Sequence, residues 1–111
     1  MKKSLTLKEN REFRRVYTRG KSFVSPILVT YVCKSRHGSH RYGITTAKKI
    51  GNAVCRNRAR RVIRAAYYEL SPALRDGSFD IVFVARTKTA AAKSTDVKKA
   101  MTGHLKQAGL L

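Results

Sequence analysis

Five arginines fall within nine positions of this 111-residue chain: Arg56, Arg58, Arg60, Arg61 and Arg64. No acid lies among them. A guanidinium is a planar fork of N–H donors that grips phosphate oxygens in pairs and stacks on bases. The chemistry open to this spacing is anion binding. Hydrolysis by the protein itself would need metal-binding carboxylates or an acid–base pair. The acids Glu9, Glu12, Glu69, Asp76, Asp80 and Asp96 are scattered, without metal-ligand spacing. The histidines His37, His40 and His104 are dispersed, and the first two fall in a turn where they read as solvated. Cys33 and Cys55 lack CxxC spacing and read as small core residues in a reduced, cytoplasmic setting. No catalytic residue and no metal ligand is expected on the chain.

The element that must carry the arginines is a helix running from Gly51-Asn52 to Ser71-Pro72, with Asn52 as its N-cap. At about 100° per residue, Cys55, Ala59, Val62, Ile63, Ala66, Tyr67 and Leu70 share one arc. Arg56, Asn57, Arg58, Arg60, Arg61 and Arg64 share the other. Charge runs are usually solvated faces, but a solvated helix normally interleaves acids at i,i+4. Here the first acid is Glu69. Lys48 and Lys49 lie just before the cap, where a helix N-terminus offers free amides to a phosphate. The expected nucleic-acid surface is Lys48, Lys49, Asn52 and the arginine face.

The rest of the chain reads as one α+β domain over 1–111. Thr6 to Glu9 has the form of a capping box. It opens a helix to about Arg19 that Gly20 closes as a left-handed cap. Ile27 to Cys33 is a strand covered on both faces. Tyr42 to Ala47 returns as its antiparallel partner. Phe79 to Arg86 is a further strand. Ser94 or Thr95 caps a last helix with Val97, Ala100, Met101, Leu105 and Ala108 inward and Gly109 at its end.

Charge sets the class. Lys and Arg number 25 against 6 acids, a net charge of +19. Residues 1–64 hold 18 basic and 2 acidic side chains, and residues 65–111 hold 7 and 4. Self-repulsion of this size favours a polyanion partner, and nucleic acid before membrane. The basic start lacks the apolar stretch of a secretory signal. The apolar run Ile81 to Ala85 is far too short to span a bilayer.

The string "KKIGNAVCRNRARR", Lys48 to Arg61, closely resembles the RNR signature of the bacterial ribonuclease P protein subunit. "NREFRRVYTRGKS" resembles that family's first helix and turn, and "FDIVFVAR" its last strand. Ala47 stands where many members carry a small hydroxyl residue. The resemblance implies a single-domain α/β sandwich like the second domain of ribosomal protein S5. Such a fold has three helices, a small, mainly antiparallel sheet and an unusual left-handed βαβ crossover, against the general right-handed rule. It also implies a role in removing the 5′ leader of precursor tRNA. The catalytic groups would belong to an RNA subunit, and Mg2+ would be held by the RNA–substrate assembly. The expected partners are the catalytic RNA and the leader, with no membrane and no DNA.

Phe13, Tyr17 and Tyr31 read on periodicity alone as core residues. The resemblance places them instead in a leader-binding cleft, where aromatics stack on single-stranded RNA. Three rivals share parts of this pattern. A basic ribosomal RNA-binding protein would share charge and fold without a role in cleavage. A DNA-binding module would need a helix-turn-helix partner or zinc spacing, and neither is present. A metal-free nuclease would need a catalytic histidine pair.

Overall fold

The structure, a computed structural model, describes residues 5–36 and 38–111. In chain order the elements are β1 (Leu5–Thr6), α1 (Asn10–Arg19), β2 (Lys21–Val24), β3 (Leu28–Lys34), β4 (Arg41–Thr45), α2 (Ala53–Leu70), β5 (Phe79–Ala85) and α3 (Ser94–Gln107). Single helical turns cover Lys48–Ile50, Ser71–Ala73 and Thr89–Ala91. The strands form one sheet in the order β1-β4-β5-β3-β2.

Strand β5 is the axis of the fold because its sequence is apolar on both faces. Phe79, Ile81, Phe83 and Ala85 face α2 and α3, and they join Leu28, Tyr42, Ile63, Tyr67, Met101 and Leu105 in the main core. Val82 faces α1 in a smaller cluster with Leu7, Val16 and Cys33. The sheet is thus a middle layer with α1 on one side and two helices on the other. It is mixed. The β2–β3 and β3–β5 pairs are antiparallel, while β4–β5 and β1–β4 are parallel. Helix α2 is the crossover between the parallel neighbours β4 and β5.

Several sequence expectations are corrected. β4 is not the partner of β3, because β5 lies between them. The chain leaves β3, passes over that position and returns only after α2 to fill it with its most apolar strand. Thr6 does not cap α1. It is extended in β1, paired with Tyr42, and the Leu7 amide donates to the Tyr42 carbonyl at 2.8 Å. The helix therefore begins later, with Glu9 as N-cap and Glu12 reaching back to the Glu9 amide at 2.9 Å. Gly20 is extended, with φ −81°. A side chain there would run into the Val16 and Val32 carbonyls, at 2.5 and 2.9 Å from its Cβ. Lys93, not Ser94 or Thr95, takes the cap position of α3.

The histidines also differ from expectation. His40 stacks on Phe79 with ring centroids 5.5 Å apart, and its Nε2 meets the Arg75 carbonyl at 2.8 Å. It is a half-buried packing residue rather than a solvated one. His37 lies outside the described residues. His104 is buried, with Nδ1 2.8 Å from Thr30 Oγ1, and burial lowers its pKa.

One polar group interrupts the α1 face of β5. Asp80 is fully buried. Arg41, its register partner on β4, grips it with Nε to Oδ1 at 2.9 Å and a terminal nitrogen to Oδ2 at 2.8 Å. The other terminal nitrogen of Arg41 reaches Glu12 Oε2 at 2.6 Å, and Arg15 adds a 3.2 Å contact to Asp80. Amide donation from Glu9 and Lys8, aided by Arg41, holds the Glu12 carboxyl down to about 2.

Two outcomes follow from this network. Asp80→Asn leaves Arg41 buried without a full counter-charge, and losing one partner of a buried pair costs about 3–5 kcal/mol. The urea midpoint should fall with little change in slope. Glu12, depressed from 4.5 to about 2, contributes stability that is present above the unfolded value and is lost as pH falls through that window. The melting temperature should drop more steeply between those pH values in the wild type than in Glu12→Gln. Parallel curves would remove Glu12 from the network.

Candidate nucleic-acid interface

The arginine helix is set by a short, rigid entry. Lys48–Ile50 makes one turn whose Ile50 is buried, leaving Lys48 and Lys49 exposed. Gly51 then adopts φ +139°, a conformation open to glycine. Asn52 caps α2 by accepting from the Cys55 amide at 3.0 Å. Ala59, Val62, Ile63, Ala66 and Tyr67 are buried as expected, and Cys55 and Leu70 are half-buried.

The arginines fan over the opposite arc. Asn57, Arg60, Arg61 and Arg64, with Val54, line a groove of about 380 Å³. Arg56 and Arg58 stand on the flanks and donate to the Gly51 and Ala92 carbonyls at 3.4 and 3.1 Å. Arg60 donates to Thr46 Oγ1 at 2.8 Å. Carbonyl and hydroxyl partners fix direction without cancelling charge. Among the described residues, the ion pairs are Arg11–Glu9, Arg15–Asp80, Arg41–Glu12, Arg41–Asp80 and Lys98–Glu69. None involves an α2 arginine.

Two residues of this surface escaped the sequence reading. Val54 is 73% exposed and Tyr68 is 55% exposed. Val54 lies three residues before Asn57 and Tyr68 four after Arg64, so the same 100° rotation puts both on the arginine crest. Their apolar character drew attention away from that position. The Tyr68 hydroxyl is 2.9 Å from that of Tyr42. Burial, and then this contact, push the Tyr42 hydroxyl up to about 12.

Beside the helix lies an open cleft of about 460 Å³ between α1 and the end of β4. Phe13, Arg14 and Tyr17 line one wall, Ile44 to Thr46 the other, and Arg60 closes one side. Gly43 makes room for the first aromatic, since a Cβ there would sit 2.5 Å from the Phe13 ring. Tyr17 is held by its hydroxyl, 2.7 Å from Thr45 Oγ1. Tyr31 meets Tyr17 edge-on at 4.9 Å and stands behind it, outside the lining. Phe13 and Tyr31 are partly buried on the smaller core cluster, whereas Tyr17 is 38% exposed. The three aromatics form the rim of that core, with Phe13 and Tyr17 open to the cleft.

Among the described residues, no three of His, Cys, Asp and Glu gather where they could hold a metal ion. No described helix is long and apolar enough to cross a membrane.

A sheet covered on both faces, one helix of uncompensated guanidinium groups and an aromatic cleft beside it define a small basic RNA-binding protein. The sequence model of the family described as Ribonuclease P matches residues 1–109, and the chain belongs to the ribonuclease P protein family. A ribonuclease P protein component of Clostridium novyi is 40% identical over 112 residues, covering 99% of this chain and 98% of that protein. One from Clostridium botulinum is 39% identical over 105 residues, covering 94% of each. The solved RNase P protein of Staphylococcus aureus superposes with a TM-score of 0.85 at 29% identity, covering 97% of this chain and 98% of that one. That of Thermotoga maritima gives 0.80 at 26% identity, covering 92% and 96%.

An anion that binds only the folded chain stabilises it by mass action, about 2.7 kcal/mol at a hundred times its dissociation constant. Sulfate should therefore raise the melting temperature. In Arg61→Ala/Arg64→Ala the gain should shrink, with the sulfate-free melting temperature unchanged or higher because repulsion is relieved. An undiminished gain would move the anion site away from α2.

Proposed function

We propose that this chain is the protein subunit of a ribonuclease P ribonucleoprotein, which removes the 5′ leader of precursor tRNA by hydrolytic endonucleolytic cleavage. The observation that carries the reading is the juxtaposition of the arginine groove on α2 with the aromatic cleft under α1, joined at Arg60. A groove of uncompensated guanidinium groups suits the phosphates of a folded RNA. A cleft with half-open rings suits an unpaired strand, whose bases stack without regard to sequence. A ribosomal RNA-binding protein would need the groove and not the cleft.

In this reading Lys48, Lys49, Asn52, Arg56, Asn57, Arg58, Arg60, Arg61 and Arg64 face the catalytic RNA, while Phe13 and Tyr17 receive the leader. Tyr31 positions Tyr17 from behind. Cleavage belongs to the RNA. The protein's contribution is to neutralise phosphate repulsion where leader and RNA converge, which favours the Mg2+ ions held by RNA and substrate oxygens. Glu12 and Asp80 are both committed to Arg41. The ribonucleoprotein acts in the cytoplasm.

Arg60 stands between the two surfaces. It lines both, so Arg60→Ala should weaken assembly and leader binding together, while Arg61→Ala should weaken assembly alone.

The test mixes the purified chain with ribonuclease P RNA and precursor tRNA at low magnesium. Cleavage should require both protein and RNA. Cleavage by the protein alone would replace the reading with a protein nuclease. In the assembled particle, Tyr17→Ala should weaken precursor binding roughly 5- to 150-fold, the value of one stacked base at about 1–3 kcal/mol. Mature tRNA, lacking a leader, should bind as before. Equal losses for both, in a variant with native melting behaviour, would return Tyr17 to a structural role.

A further inference from the structure

The other flank of α1 carries a second basic concavity. Arg15 and Arg19 from α1, with Cys33 and Lys34 from the end of β3 and Ser35 and Arg36 just after it, line a pocket of about 630 Å³. Rotation by 100° per residue places Arg15 and Arg19 on the side of the helix away from Phe13, Arg14 and Tyr17. The pocket is therefore distinct from the aromatic cleft, and none of its lining comes from α2. No carboxylate lines it. Arg19, Lys34 and Arg36 are exposed and take part in none of the ion pairs among the described residues.

Arg15 makes this more than a crowded surface. One terminal nitrogen is held by buried Asp80 at 3.2 Å and the other by the Lys34 carbonyl at 2.7 Å. The guanidinium is pinned at the pocket wall, and a third of its side chain stays exposed. Its charge is nominally balanced by the Asp80–Arg41–Glu12 network, so Arg19, Lys34 and Arg36 are left as uncompensated cations around a fixed donor. Such an array is relieved by an anion whose oxygens accept several N–H bonds at once.

We propose that this pocket is a second RNA-phosphate site, gripping the backbone of an RNA strand on the side of α1 away from the aromatic cleft. The proposal rests on the ribonuclease P reading for the identity of the RNA, though its chemistry is that of a phosphodiester. The phosphate belongs either to the catalytic RNA or to the precursor's leader.

The experiment compares two double variants of equal charge loss, each checked for native melting. Arg19→Ala/Arg36→Ala empties the pocket, while Lys88→Ala/Lys99→Ala removes two exposed cations elsewhere. Binding is measured against salt for three probes: ribonuclease P RNA, precursor tRNA on the assembled particle, and a single-stranded RNA oligonucleotide. Loss of two phosphate contacts should flatten the slope of log affinity against log salt by about 1.4–1.8 units. The wild type's advantage would then fall about tenfold between 50 and 200 mM salt. The control pair should change little. Arg19→Lys/Arg36→Lys should restore the slope.

A change confined to the catalytic RNA, or to precursor tRNA with a long rather than a short leader, supports the pocket and names its source. Equal flattening by both alanine pairs, or no flattening, overturns the pocket and leaves diffuse charge. Should the wild type fail to support cleavage, the ribonuclease P reading falls, and the oligonucleotide slopes still decide the phosphate site.

Discussion

The buried pairing of Arg41 with Asp80 constrains much of the rest of the molecule. Asp80 interrupts the apolar central strand on the α1 face, and an unpaired carboxylate there would not be tolerated. Its bidentate partner comes from the neighbouring parallel strand, so slipping the β4–β5 register would separate the charges. The same guanidinium reaches Glu12, and Arg15 returns from α1 to the same carboxylate. One buried anion thereby ties two strands and a helix together. Polar bonds have direction where apolar packing does not. They fix the seating of α1 on the sheet, and hence the width of the cleft beside it.

The chain handles its arginines in two contrasting ways. Arg41 and Arg15 are compensated and structural. Those of α2 are uncompensated, and their mutual repulsion is modest as long as water surrounds them. Two unit charges about 7 Å apart interact by roughly 0.6 kcal/mol in water and several times more at the lower effective dielectric of a protein surface. The cost is spread over an exposed crest, on a helix anchored by a fully apolar opposite face. Burying those arginines against another protein element would raise the repulsion. An RNA backbone lowers it, because each guanidinium then meets phosphate oxygens and displaces counterions.

The legibility of the sequence followed the same division. The arginine helix could be read because its signal is local: one cap at Asn52, one period and one glycine entry at Gly51. Strands β3, β4 and β5 could be read for the same reason, but their neighbours could not, and the short edge strands β1 and β2 were not read at all. Placing β5 between β3 and β4 depends on contacts across more than thirty residues, and the turn at 35–39 looked like an ordinary hairpin. Asp80 was visible as a lone acid in an apolar strand, yet nothing nearby in sequence named Arg41 as its partner. The cap of α1 was misplaced because Thr6 was recruited by the sheet edge, a tertiary preference that outweighs a local box. The aromatics divided between core and cleft only once Gly43 and Thr45 were seen opposite them.

That division has a physical consequence for the proposed binding of a single strand. An aromatic cleft on a flexible helix would close on itself, since Phe13 and Tyr17 gain by burial. Here closure is opposed from both ends. Glu12 is locked to Arg41 at one end of the helix face, and Tyr17 is locked to Thr45 at the other. Gly43 lets Phe13 lie close to the sheet without filling the gap above it. The rings are held half-exposed, so under the proposed leader reading an entering strand would meet surfaces already in place. Less ordering free energy is then set against stacking. The network that holds the fold is also what keeps the cleft open.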